Sequence, residues 1–386
     1  MAQALQGIKV LDFSHVVAGP LATHFLALNG AEVTKIEPPA GDPLRNYTLD
    51  PSQRGMAPAF AGINAGKDSL VLNLKSSSDL QRAKSLAAEA DIIVENFRPG
   101  VMDRLGLGYD SIRDLNPRVI YCSVSGFGRD NALRGIPAMD QIIQSLSGLM
   151  KISGLPGDPA MRVGFPIVDT FSGLLAAFAI QTALVQRERG LAEGQLIDVA
   201  MLDATLVMML SVVNPLLMNG ETPQRTGNRG FSRAPTSDTF ATAEGEITIG
   251  AVEDKQVDAL MSIIGLSHLL QEAEFSDRIS RAANADALYC KIAEALAARP
   301  AKEWETLLHG QGVPAARVQE VQDALDMPHL SDRDLFMDLK DDAGGEQRIL
   351  NAGYRFATGG PGVKRAAPTL GNHVEIGSSA QSRRTG

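Results

Sequence analysis

The first 220 residues of this 386-residue chain alternate short β-branched apolar runs with helical segments, and that alternation limits the possible folds more than any other feature. IKVLDF (8–13) leads into AGPLATHFLALNG (18–30), then AEVTKIE (31–37). SLVLNL (69–74) precedes a helical stretch from Ser76 to about Ala90, and DIIVENF (91–97) follows. A helix opened by Pro-Gly near 99–115 comes before RVIYCSVSG (118–126). Strand–helix–strand repetition with near-continuously apolar strands predicts a parallel sheet covered on both faces and linked by right-handed crossovers. The expected fold class is therefore α/β, with a Rossmann-like core.

The pattern then changes. From 137 to 218 helices dominate, interrupted by GQLIDVAM (194–201). ETPQRTGNRGFSRAPTSD (221–238) is polar, rich in Gly and Pro and locally basic, and reads as a linker or ordered loop. TFATAEGEITIGA predicts a hairpin turning at Glu244-Gly245, and amphipathic helices are expected near 253–264, 284–297, 301–309 and 321–327. The organisation expected is a large domain over 1–220, to which 331–386 returns, with 221–330 forming a linker and a smaller α+β domain. The last dozen residues, polar and small, are expected to fray.

Bulk properties exclude several functions. A net charge of −9 argues against general nucleic-acid or anionic-membrane binding, both of which reward a basic surface. Two cysteines, Cys122 and Cys290, allow neither a disulfide framework nor a paired metal motif, which fits a reducing compartment. Six scattered histidines with no i,i+4 pair make a metal site unexpected. The opening MAQALQGIKVLDF lacks a signal-peptide pattern, and no run of eighteen apolar residues predicts a spanning helix, so the cytoplasm is the expected location. GLGYDS (106–111) is not a dinucleotide fingerprint, and SVSGFG lacks the nucleophile elbow.

The candidate residues sit where an α/β sheet places its ligand crevice, past the carboxyl ends of strands. His15 follows the first strand, and VAGP (17–20) opens a helix whose free N–H groups suit an anion. Lys75 ends LVLNLK; Asn96, Phe97 and Arg98 end DIIVENFRPG; Arg104 lies in the following helix. Cations beside an aromatic ring are what a nucleotide's phosphates and base require. Asp169, in GFPIVDTFSGLLAAFAI (164–180), has two readings. It caps a helix beginning at Thr170, or it does chemistry. That helix is apolar on nearly every face, with Gly173, Ala176, Ala177 and Ala179 permitting close packing, so a carboxylate at its start is costly without donors.

Taken together, GIKVLDFSHVVAGPLATHFLALNGAEVTKIEPPAGDPLR, LVLNLK, DIIVENFRPGVMDRLGLGYDSI, NPRVIYCSVSGFG, MRVGFPIVDTFSGLLAAFAIQTALVQRERG, GQLIDVAMLDA and RAAPTLGNH resemble the family III CoA-transferases, the group that includes formyl-CoA transferase and the carnitine CoA-transferases. The resemblance spans nearly the whole chain. It implies that Asp169 is the nucleophile, and that Val16, Val17, Ala18, Leu72, Asn73, Leu74, Lys75, Asn96, Phe97, Arg98 and Arg104 contact coenzyme A. It further implies an acyl-CoA and a carboxylic acid as substrates, no tightly bound cofactor, and a homodimer of interlocked rings. Where formyl-CoA transferase has glutamine, tyrosine and glutamate, this chain has Val17, Ala59 and Asp140, and its glycine-rich loop has no evident counterpart. A larger or branched acid than formate or oxalate is the expectation. The rival within the superfamily, an α-methylacyl-CoA racemase, needs a second base where this chain has Met139. Asp203 is an alternative nucleophile should Asp169 prove dispensable.

Overall fold

A computed structural model describes residues 2–230, 232–341 and 344–372. In chain order, β1 (Lys9–Asp12), α1 (Ala18–Leu28), β2 (Glu32–Glu37), α2 (Pro58–Asn64), β3 (Asp68–Val71), α3 (Ser77–Glu89) and β4 (Ile92–Glu95) come first. The Pro-Gly-opened helix is two pieces, α4 (Val101–Leu105) and α5 (Tyr109–Leu115), because Gly106 turns left-handed between them. After β5 (Ile120–Ser125) come α6 (Asp140–Leu146), α7 (Leu149–Ile152), α8 (Ile167–Glu188), β6 (Gln195–Ala200), α9 (Met201–Met208) and α10 (Leu210–Asn219).

Strands β1 to β6 form one sheet in the order β3-β2-β1-β4-β5-β6, every neighbouring pair parallel. Strand side chains alternate between two apolar cores, as a period of two requires. Val10, Ile92, Val94, Ile120 and Cys122 pack with α1 and α8 residues such as Leu26, Ala177 and Ile180. Leu11, Ile93 and Tyr121 pack on the opposite face with Ala83, Ala87 and Ile112. This strand order reverses direction between β1 and β4, which makes the carboxyl ends of those two strands the place for a ligand.

Helix α8 supplies much of the first core. By length and composition it could cross a membrane, with a best-window mean hydropathy of 1.5. The strictly apolar run expected of a span is broken by Thr170, Ser172, Gln181 and Thr182. Its Val168, Gly173, Ala176, Ala177, Ile180 and Ala183 are buried within the fold, as in the core helix of a globular protein.

The chain divides into two compact units: Met1–Leu149, Arg162–Gly220 and Pro328–Gly386 in one, Met150–Met161 and Glu221–Met327 in the other. Residues 150–161 join the second unit, where the Arg225 guanidinium donates to the carbonyls of Lys151, Met150 and Pro159. The second unit holds β7 (Ser237–Ala241) and β8 (Glu246–Gly250), an antiparallel hairpin about Glu244-Gly245, followed by α11 (Asp254–Ile263), α12 (Arg278–Ala283), α13 (Ala285–Leu296), α14 (Ala301–His309), β9 (Ala315–Arg317) and α15 (Val321–Leu325). Strand β9, too short to read from the sequence, pairs with β8. Back in the first unit, α16 (His329–Asp332) precedes the antiparallel pair β10 (Phe336–Lys340) and β11 (Glu346–Leu350). The segment after β11 is tied down there: Gly66 donates to the Arg365 carbonyl and Arg45 to that of Pro368.

Candidate active site

The carboxyl ends of β1 and β4 are joined directly. His15 donates its N–H to the Asn96 side-chain oxygen at 2.8 Å, and the Asn96 amide returns a hydrogen bond to the His15 carbonyl at 2.8 Å. The His15 ring meets Phe97 edge-on at 5.3 Å, and its Nε2 is buried without a hydrogen-bond partner. Burial, then the nearby Lys35 cation, pushes the imidazole below its ordinary pKa, so His15 is neutral at neutral pH. Glu95 holds the next turn in place by accepting the Phe97 N–H at 2.8 Å; burial raises this carboxyl to about 7. Gly19 sits so close to Ser14 that a Cβ there would lie 2.2 Å from the serine's Cβ, so only glycine lets α1 start at this point.

Asp169 is not the cap of its helix. Helix α8 begins three residues earlier than Thr170, at Ile167, with Pro166 at the cap position and Asp169 inside the first turn. The capping acceptor comes from elsewhere in the chain: Asp140 Oδ2 accepts the N–H groups of Val168 (2.8 Å) and Asp169 (3.1 Å). Asp140 is itself oriented by Gln144, which donates to Oδ1 at 2.6 Å and accepts the Val163 N–H at 2.9 Å. Two carboxyl groups are thus gathered at one helix start. Burial, then the Asp140 charge, raises Asp169 to about 7. The helix N-terminus favours the anion by only about 0.3–2 kcal/mol and does not offset them.

Asp169 lines a cavity of about 800 Å³ in the first unit, together with His15, Val16, Val17, Ala18, Asn96, Phe97 and Arg98. Ala59, Met139 and Asp140 also line it, as do Arg134 and Arg162. Pro99 and Arg134 are shared with a smaller recess of about 290 Å³ whose walls include Arg104 and Arg129. The cavity holding the carboxyl pair thus adjoins a recess lined by three arginines. Leu72, Asn73, Leu74 and Lys75 line neither space. Leu72 and Leu74 pack in the same apolar cluster as Phe97, whereas Lys75 is exposed after a turn in which its N–H donates to the Asn73 side chain. Ser76 begins α3 without a side-chain capping bond. Asp203, exposed on α9, is absent from the cavity lining. The second unit has its own cavity, about 710 Å³, which includes none of the candidate residues. Among the described residues no cluster suited to a metal ion occurs.

This geometry accompanies a specific kinship. The family model described as CoA-transferase family III matches residues 5–374. The chain belongs to the family III CoA-transferases. It is 38% identical to acetyl-CoA:oxalate CoA-transferase of Acetobacter aceti, over 86% of this chain and 85% of that one. It is 36% identical to succinyl-CoA:mesaconate CoA-transferase of Haloarcula marismortui, over 96% and 94%. A crystal structure of a CaiB/BaiF family protein from Brucella suis superposes with a TM-score of 0.86 at 29% identity, covering 97% of this chain and 98% of that one. As a CoA-transferase the protein uses an acyl-CoA as substrate.

Sequence reasoning missed several residues that shape this CoA-transferase's cavity. Arg129, Arg134 and Arg162 lie in loops with no periodicity to mark them. Glu95 and a buried set comprising Asp12, Lys35, Glu37, Asp42, Arg45 and Lys67 went unremarked. The available signal was charge inside apolar strands, in VLD, VTKIE and IIVE. Buried charges must be paired, so each announces a partner without naming it.

Proposed function

We propose that this CoA-transferase moves CoA from an acyl-CoA to a free carboxylic acid with Asp169 as covalent acceptor. The observation carrying the reading is the placement of Asp169: an ionisable carboxyl, partly buried beside Asp140, on a cavity that shares Pro99 and Arg134 with an arginine-lined recess. Its carboxylate attacks the thioester carbonyl, and the CoA thiolate leaves, giving a mixed anhydride. The thiolate then attacks the aspartyl carbonyl and releases the donor acid, leaving an aspartyl-CoA thioester. The acceptor's carboxylate attacks that thioester, again expelling thiolate and forming a second anhydride. Thiolate attack on the acceptor's acyl carbon yields the new acyl-CoA and restores Asp169. Every intermediate stays activated, which water would waste; a dry site is therefore part of the chemistry.

In this reading Arg98, Arg104, Arg129 and Arg134 meet the phosphates and Phe97 lies against the adenine; that these residues line the two spaces supports it. Arg162 has no ion-pair partner among the described residues and shares the cavity with Asp169, which supports an acceptor with a second carboxylate. The similar proteins named for oxalate and mesaconate point the same way. The racemase alternative is less supported, since Met139 stands where a racemase carries its histidine base. The working form proposed is an interlocked homodimer in the cytoplasm; apolar side chains exposed along α8 and α10 support the dimer, and the sparse cysteines the location.

The test is mass spectrometry of enzyme quenched with borohydride or hydroxylamine during turnover of succinyl-CoA with a panel of dicarboxylates. The expected result is modification at Asp169, with transfer abolished in Asp169→Ala. Turnover with an unmodified Asp169 peptide would falsify the covalent route.

A further inference from the structure

Val16 holds a backbone conformation that valine avoids. Its φ is +66°, in the left-handed region, and only two other non-glycine residues among those described share a positive φ. A β-branched residue there is strained and persists only where the surroundings impose it. The imposing group is Asp42, 26 positions away. Both of its carboxylate oxygens lie 3.2 Å from the Val16 nitrogen, and Oδ1 also accepts the Leu44 N–H at 2.9 Å. Asp42 is completely buried and ion-paired with the equally buried Lys35 at 2.9 Å; Lys35 Nζ in turn donates to the Ser14 carbonyl at 2.6 Å. Glu37, held by Arg45 at 2.6 and 2.7 Å, accepts the Asp42 N–H at 2.9 Å. The two carbonyl and N–H groups that bracket His15 are thereby bolted to a buried ionic lattice, while His15, Val16, Val17 and Ala18 line the cavity.

We infer that Asp42, through Val16, is a positioning residue for coenzyme A: it holds the β1–α1 turn in the strained shape that opens the first turn of α1 onto the cavity. Asp42 is not part of the cavity lining. The inference rests on the cavity being the CoA site, as proposed above. It assigns the strain a purpose, since a relaxed Val16 would redirect the N–H groups of Val17 and Ala18 away from the ligand space. Glycine at position 16 would adopt the same φ without strain and would need no such hold.

The experiment is a double-mutant cycle read by calorimetric titration with free coenzyme A, alongside thermal melting. Asp42→Asn is expected to weaken CoA binding about ten-fold, the scale of one strained residue released. In a Val16→Gly background the same change is expected to weaken it less than about three-fold, because glycine keeps the turn unaided. The loss of melting temperature caused by Asp42→Asn should be alike in both backgrounds. Should Asp42→Asn fail to fold with Lys35 unpaired, Asp42→Asn combined with Lys35→Met removes both charges, and the same coupling to Val16→Gly is read. Additive effects on CoA binding, or no effect of Asp42→Asn on it, would overturn the inference. Absence of CoA binding by the unaltered enzyme is a separate outcome: it overturns the assignment of the cavity, and this inference with it.

Discussion

In the proposed route Asp169 attacks a thioester only once its proton is gone, and burial beside Asp140 raises its pKa to about 7. Raised pKa means protonated at low pH, so kcat/KM is expected to climb with pH and level off above a midpoint near 7. Asp140→Asn removes one of the two causes while its side-chain oxygen can still accept the Val168 and Asp169 N–H groups. Its midpoint should therefore move to lower pH in a pH–rate profile; an unmoved or higher midpoint would count against the coupling. At this scale the sequence was partly legible. An acid at the start of an apolar helix stands out, but of its two readings the capping one fails, because the acceptor lies 29 positions upstream. Local patterns report which N–H groups need an acceptor and are silent about distant side chains that can serve.

Helices α1 and α8 are the elements that bring the site together, and at Gly173 the α8 backbone approaches α1 with no side chain of its own. A Cβ on Gly173 would sit 2.6 Å from the Ala18 carbonyl oxygen and 3.2 Å from the Leu21 Cβ. Gly173→Ala should therefore cost about 1–2 kcal/mol in urea unfolding, overpacking outweighing the gain in helix propensity. It should also weaken CoA binding, since the pressure falls on Ala18, a cavity residue. Unchanged stability and binding would show that the helices can part freely. The small residues of α8 were legible as a packing face in the sequence. Their partner was not, because a Gly-Ala stripe specifies closeness and leaves open to what. Strand ends were also over-read: of SLVLNL (69–74) only residues 69–71 belong to β3, since Asn73 leaves it to form a turn with Lys75.

At the scale of the whole molecule, the described surface leaves large apolar side chains uncovered: Phe178 is 67% exposed on α8, Leu217 76% and Met218 80% on α10. Exposed apolar surface of this kind is what the proposed dimer would cover. Light scattering at micromolar concentration is expected to return twice the chain mass, falling toward one chain with Phe178→Arg combined with Leu217→Arg. A single-chain mass for the unaltered protein would remove the proposed dimer. The sequence by itself determined a parallel sheet clothed in helices, because strands apolar on both faces have no other stable arrangement, and such a sheet has a crevice past its strand ends. Only the tertiary structure decided which charges share that place. Asp140 with the Asp169 N–H, and Asp42 with the Val16 N–H, are pairings across tens of residues, made by packing that brings distant groups together in low dielectric. No local periodicity encodes such an encounter, since its energy exists only after the chain has closed around it.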